Sequence, residues 1–175
     1  MPVNRRKFVK QTAMTVAASL LGPRAMNAAS YRRIPGANDR VRLGVVGFSD
    51  RFRNAHFPSY LQHYKALNFD ITAVSDLWTL RRDEGAGFLT QHLGHNIRSC
   101  RNNDELYAGK DVDAVFISTP DFQHALHTIE AVQANCDVYC EKPFAETMED
   151  NRNALKAVRQ SGKIVQIGSQ RRSGK

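Results

Sequence analysis

The chain has 175 residues, 42% of them hydrophobic, with 25 basic against 17 acidic side chains and a formal net charge of +8. Five of those basic residues and no acid fall in residues 1–30, so the remainder holds 20 basic against 17 acidic groups, a net of +3. No basic run with interleaved aromatics follows, which removes nucleic acid from the expected partners.

The chain opens with Asn4-Arg5-Arg6-Lys7-Phe8-Val9-Lys10, and Thr12 to Leu21 is a short, mostly apolar run. A basic region followed by about ten apolar residues reads as an export signal, too short to span a bilayer. It resembles a twin-arginine signal, whose route carries proteins already folded. The expectation is therefore export, to the periplasm or to a membrane anchored through an uncleaved leader. Residues 31–40, with Pro35 and Gly36, read as a linker. Residues 41–168 are the usual size of one domain with a single core. Cys136 and Cys140 are four apart entering an extended run, about 13 Å between α-carbons and too far to bridge. With Cys100 they read as buried thiols, and no metal-ligand spacing exists.

Arg42 to Gly47 reads as a buried parallel strand entering a turn. The dinucleotide fingerprint asks for glycines at its first, third and sixth positions. Those positions hold Gly47, Ser49 and Phe52, so one of three is met. A helix over Ala55–Leu67 follows, with Phe57, Tyr60, Leu61 and Tyr64 at helical spacing and Pro58 in its first turn. Phe69–Val74 is the second strand, ending at Ser75-Asp76. Thr79–Leu93 is the next helix, weakened by Gly85 and Gly87. A brief strand spans Asn96–Ser99, and Asn102 or Asn103 caps a short helix through Tyr107, closed by Gly109. Val112–Ser118 is a strand, and Phe122–Asn135 a helix whose buried face is Ala125, Leu126, Ile129 and Val132. Asp137–Cys140 is a strand. Thr147 caps a helix through Gln160 with Asp150 at the third position; Gly162 stops it, and Lys163–Gly168 is the last strand.

This alternation predicts an α/β fold: a Rossmann-type, doubly wound parallel sheet of about six strands in the order 3-2-1-4-5-6. Its ligand crevice lies at the carboxyl ends of strands one and four. Gly47, Asp76, Thr119-Pro120, Glu141-Lys142-Pro143 and Gln170-Arg171 each follow the carboxyl end of a different strand. Asp76, 29 residues beyond Gly47, suits the ribose hydroxyls and would repel a 2′-phosphate; it also suits a cap for the helix beginning near Thr79. Arg81 and Arg82, one turn on, could instead take a phosphate. NAD is thus expected over NADP. Lys142, with Pro143 fixing the turn and Glu141 as a charge partner, reads as an ammonium positioned to steady a hydroxyl as its proton leaves.

Glu141-Lys142-Pro143, Thr119-Pro120 with His124 four residues on, and Gly168-Ser169-Gln170-Arg171-Arg172-Ser173 resemble the N-terminal domain of the Gfo/Idh/MocA oxidoreductases. That family includes glucose–fructose oxidoreductase and inositol dehydrogenase. The resemblance implies that Gly47, Phe48 and Ser49 border the pyrophosphate and Asp76 the adenosine ribose. It implies that Thr119, Pro120 and His124 line the nicotinamide side, with Glu141 and Lys142 beside them and Lys142 as the catalytic group. It also implies a cis bond before Pro143. Two departures stand out: Ser49 and Phe52 replace glycines, and Asp50 puts a carboxylate near an anion. Family members continue into a second α/β domain with the substrate pocket and subunit interface. Residues 169–175 accordingly read as its start, with a polyol substrate and homo-oligomers expected only of the longer protein. The expected activity is oxidation of a CH–OH group of a sugar, cyclitol or related polyol, absent from the chain alone. An NAD-dependent glycoside hydrolase of the same family, and a non-catalytic dinucleotide-binding or interaction module, stay open as alternatives; net cofactor turnover separates the oxidoreductase from the hydrolase.

Overall fold

The sheet grows outward from its first strand. In the computed structural model, which describes residues 40–169, β1 (Val41–Val46) pairs in parallel with β2 (Phe69–Ser75) on one side and β4 (Ala114–Ile117) on the other. The arginine-pair leader, the linker as far as Asp39 and the Gln170-Arg171 turn lie outside the described residues. β3 (Arg98–Cys100) extends the sheet beyond β2, and β5 (Asp137–Glu141) and β6 (Val165–Gly168) extend it beyond β4. The order is β3-β2-β1-β4-β5-β6 with every pairing parallel, as the alternation predicts.

Successive residues of a strand face opposite sides, so the central strands feed two cores. Val45, Ile71 and Val74 join Phe48, Phe52, Phe57, Tyr60, Leu89 and Ile97 in one buried cluster. That face is covered by α1 (Phe57–His63) and α2 (Thr79–Leu93). Val46, Ala73, Val115, Ile117, Val138 and Cys140 join Leu106, Ala131 and Val132 in the other. There the cover is α3 (Asn103–Ala108), α4 (His124–Gln133) and α5 (Met148–Ser161). Burial of apolar surface on both faces, roughly 25 cal/mol per Å2, is what holds the layers together. Cys100, Cys136 and Cys140 are buried free thiols. Among the described residues no helix is long and apolar enough to cross a membrane.

Local chemistry fixes the ends. The Asn102 side chain accepts from the Glu105 N–H at the start of α3, and Thr147 accepts from the Asp150 N–H at the start of α5. Gly162 closes α5 in the left-handed conformation. At the amino edge of the sheet, Arg42 donates from its backbone N–H and its guanidinium to Asp113, tying β1 to the entry of β4.

Two expectations need correcting. The first helix does not begin at Ala55: the helical run covers 50–63, and Phe52–His56 form a π-helical turn within it. The Phe52 ring is buried against Phe48, Phe57 and Phe116, at centroid distances of 5.9, 6.4 and 5.4 Å. Where glycine would let the helix lie against the strand, the wider turn makes room for a ring. On α4, Leu126 is exposed, while His124, His127 and Thr128 are buried with Ala125 and Val132. A short 3-10 turn, Asp121–Gln123, precedes α4, and polar side chains occupy the buried face that an apolar pattern cannot reveal.

Candidate functional site

Two adjoining clefts run along the carboxyl edge of the sheet. The larger, about 700 Å3, lies on the β2 side and is lined by Gly47, Phe48, Ser49, Asp76, Thr119 and Pro120, among others. The second, about 570 Å3, is lined by Arg51, His124, Glu141 and Lys142 and shares Ser49, Ser118, Thr119 and Pro120 with the first. All nine residues selected from the sequence therefore border one continuous path.

The turn after β1 is built on Gly47. Its φ of +82° is open to glycine, and a Cβ there would stand 2.6 Å from Thr119 Cγ2 and 3.1 Å from the Thr119 backbone. The missing side chain thus lets the turn after β4 close against the turn after β1. Ser49 Oγ accepts from the Phe52 N–H and hydrogen-bonds Ser118 Oγ. A serine at the fingerprint's third position therefore stitches the turns after β1 and β4 together. Phe48 points its ring into the core, 1% exposed, and only its backbone lies at the cleft.

That backbone N–H donates to Asp76 Oδ2 at 3.0 Å, and the Trp78 N–H donates to Asp76 Oδ1 at 2.9 Å. Asp76 is not the residue capping α2, because Trp78 holds that position. Each carboxylate oxygen keeps a lone pair for a ribose hydroxyl. The Asp50 carboxylate pairs with Arg81, its Oδ1 3.2 Å from Nη1. Arg82 pairs instead with Asp83.

At the far end the Lys142–Pro143 bond is cis. Glu141, 4% exposed, does not partner the Lys142 ammonium. Its Oε1 lies 3.4 Å from Arg51 Nε and 2.5 Å from His56 Nε2, off the line of a hydrogen bond in the second case. Its other oxygen accepts the Lys142 backbone N–H. The correction follows from reach: a strand residue points opposite to its neighbour, so Glu141 turns inward while Lys142 is exposed in the cleft. Burial lowers the His56 pKa, and the Arg51 charge adds to that, against the opposing pull of Glu141.

His124 is also recast. It is 1% exposed, with Nδ1 2.6 Å from the Pro143 carbonyl and Nε2 2.9 Å from the Thr119 carbonyl. Both ring nitrogens are occupied by backbone oxygens, so His124 braces the turns after β4 and β5 and its ring nitrogens do not face the cleft. His127, one helical turn on, meets Thr119 Oγ1 at 3.1 Å through Nδ1. Burial lowers its pKa, with Glu130 opposing and His124 reinforcing the shift. The sequence reading missed His127, Ser118, Trp78 and Arg51. A second histidine three residues after the first, on a helix face otherwise apolar, was the available signal for His127. Arg51 carried none, since its partner lies 90 residues away.

A parallel sheet in this order, with its cleft across the carboxyl ends of β1 and β4, defines a Rossmann-type dinucleotide-binding domain. Residues 41–169 match the family model described as "Oxidoreductase family, NAD-binding Rossmann fold", and the chain belongs to this Gfo/Idh/MocA family. It is 34% identical over 133 residues to inositol 2-dehydrogenase 3 of Saccharopolyspora erythraea, covering 75% of this chain and 37% of that protein. It is 34% identical over 93 residues to 1,5-anhydro-D-fructose reductase of Ensifer adhaerens, covering 53% of this chain and 27% of that one. Among solved structures, the WlbA dehydrogenase of Chromobacterium violaceum, in complex with NADH and UDP-GlcNAcA, superposes with a TM-score of 0.66 at 26% identity. That match covers 77% of this chain and 36% of the other. The chain spans about a third of the length of the curated relatives it matches.

Proposed function

We propose that this chain supplies the cofactor half of an NAD-dependent oxidoreductase acting on a CH–OH group of a sugar, cyclitol or related polyol. The observation that carries the reading is the single path from Asp76 to Lys142, formed by two clefts that share Ser49, Ser118, Thr119 and Pro120. Each cleft, about 700 and 570 Å3, falls within the range of about 300–1,000 Å3 common for ligand pockets, and the two in line suit the two halves of a dinucleotide. Asp76 would hold the adenosine ribose, the turn from Gly47 to Ser49 and the start of the helical run would border the pyrophosphate, and Thr119 and Pro120 would border the nicotinamide. NAD bound there supplies a hydride acceptor.

The protein's part is to hold the alcohol and steady its oxygen while the hydroxyl proton leaves to a base that the longer protein is proposed to supply. Lys142 stands exposed at the end of the path on a turn that Pro143 and His124 brace, and its ammonium would stabilise charge growing on the substrate oxygen. Inositol and sugar-derivative relatives support the polyol class. The rest of the substrate wall is proposed to come from the longer protein.

Titration of the chain with NAD and NADP, followed by assay of a longer form with inositols and sugars, tests this. NAD should bind in preference to NADP, and Lys142→Ala should lower turnover by about 100-fold or more with little change in NAD affinity. A chain that binds no dinucleotide would sink the reading. Near-normal turnover in the lysine variant would remove Lys142 from the chemistry.

Export by the twin-arginine route is proposed on Arg5-Arg6 and the apolar run that follows. A reporter fused to the leader should stay in the cytoplasm when both arginines become lysine, and unchanged export would refute it.

A further inference from the structure

The β2-side cleft is rich in acid. Asp50, Asp76, Asp104 and Glu130 border it, and Arg81 is the one lysine or arginine among the described residues that line it. Arg81 sits in the first turn of α2, close after Asp76, where a 2′-phosphate on the adenosine ribose would find a cation. Its guanidinium is already engaged. Nη1 lies 3.2 Å from Asp50 Oδ1 and 3.1 Å from Glu84 Oε2, and the guanidinium carbon stands 5.9 Å from the centre of the Trp78 ring. Glu84 is itself anchored, its other oxygen 2.6 Å from Arg53 Nη1. The chain of charge Asp50–Arg81–Glu84–Arg53 therefore joins the turn after β1 to α2 across the cleft's rim.

We propose that Asp50 and Glu84 make Arg81 a specificity-determining residue by withholding it: two carboxylates neutralise the one lysine or arginine among the described residues that line the cleft, leaving Asp76 to reject a 2′-phosphate. The proposal rests on the NAD reading above and adds the reason why a nearby arginine does not override Asp76. Arg81 is about a third exposed and Asp50 largely exposed, so the lock is an exposed ion pair of modest strength, a scale that still decides a preference between two cofactors. Asp50 also acquires a role that its position beside an anion site left unexplained.

The test uses the 175-residue chain and probes that occupy only this half of the path: ADP, and adenosine 2′,5′-bisphosphate, which carries the 2′-phosphate. The wild type should prefer ADP. In Asp50→Asn with Glu84→Gln, affinity for the bisphosphate should rise about five- to tenfold while ADP changes less than about twofold. The gain should vanish when Arg81→Met is added, and should shrink with added salt. Asp50→Asn alone should give a smaller gain of the same sign, which keeps the test decisive if the double variant folds poorly. Equal gains for both probes, a gain that survives loss of Arg81, or no gain in either variant would overturn the proposal. Failure of the NAD reading would look different: a wild-type chain that binds neither ADP nor NAD.

Discussion

At the residue scale, Gly47 carries the most structure on the fewest atoms. It needs a positive φ, and it needs the empty space that Thr119 Cγ2 takes up 2.6 Å from where a Cβ would be. A left-handed non-glycine costs about 1–2 kcal/mol and overpacking a further 1–3. Gly47→Ala should therefore lose about 2–5 kcal/mol in urea unfolding. Adding Thr119→Ser removes the offending methyl and should restore part of that loss, leaving the backbone term. No recovery in the double variant would show that the clash with Thr119 Cγ2 is not what matters. Lys142 and Glu141 show the same scale from another side, since adjacent residues on one strand end serve opposite needs: one buried against Arg51 and His56, the other out in the cleft.

At the scale of elements, α2 and the turn after β1 are fitted to each other. Two glycines weaken α2 by propensity alone, by up to about 1 kcal/mol each, yet they differ in what surrounds them. A Cβ on Gly85 would meet the Phe48 ring at 2.7 Å, whereas one on Gly87 would meet nothing within 4 Å. Gly87→Ala should raise stability by about 0.5–1 kcal/mol. Gly85→Ala gains the same propensity but must displace Phe48, so it should be destabilising by up to about 2 kcal/mol. It should also weaken NAD binding through the Phe48 N–H that holds Asp76. Chemical denaturation of both variants checks the pair, and similar effects at the two sites would refute the packing argument.

At the scale of the whole molecule, titratable groups whose pKa the fold lowers should set the acid limb of stability. Burial lowers the pKa of both His56 and His127. The unfolded chain therefore takes up protons from about pH 6.5 downward while the folded chain does not. Stability should be full above that pH and fall as pH drops, by up to about 1.4 kcal/mol per pH unit for each group, until the folded histidines protonate. Asp113 acts later. Its hydrogen bond with Arg42 holds it below the usual carboxylate range, so its contribution is present above about pH 4 and lost as pH falls through its folded value. The expected profile has two steps, seen in melting temperature against pH. His127→Gln should flatten the upper step and leave the lower one. An unchanged upper step would assign it to other groups.

What the sequence determined by itself was the order of elements and the turns that matter. Runs of apolar residues between capped helices define six strands, and the parallel crossovers they demand place Gly47, Asp76, Thr119, Glu141 and Lys142 at one edge. Caps were legible for the same reason, since Asn102 and Thr147 act on N–H groups three residues away. The π-helical turn at Phe52, the inward-facing Glu141, the braced His124 and the Asp50–Arg81 pair were not legible. Each depends on at least one partner 19 to 90 residues distant, such as Pro143 for His124 and Arg51 for Glu141. Periodicity reports which side of an element is buried, but the choice of partner for a buried polar group is made only when two elements pack, and that choice belongs to the tertiary structure.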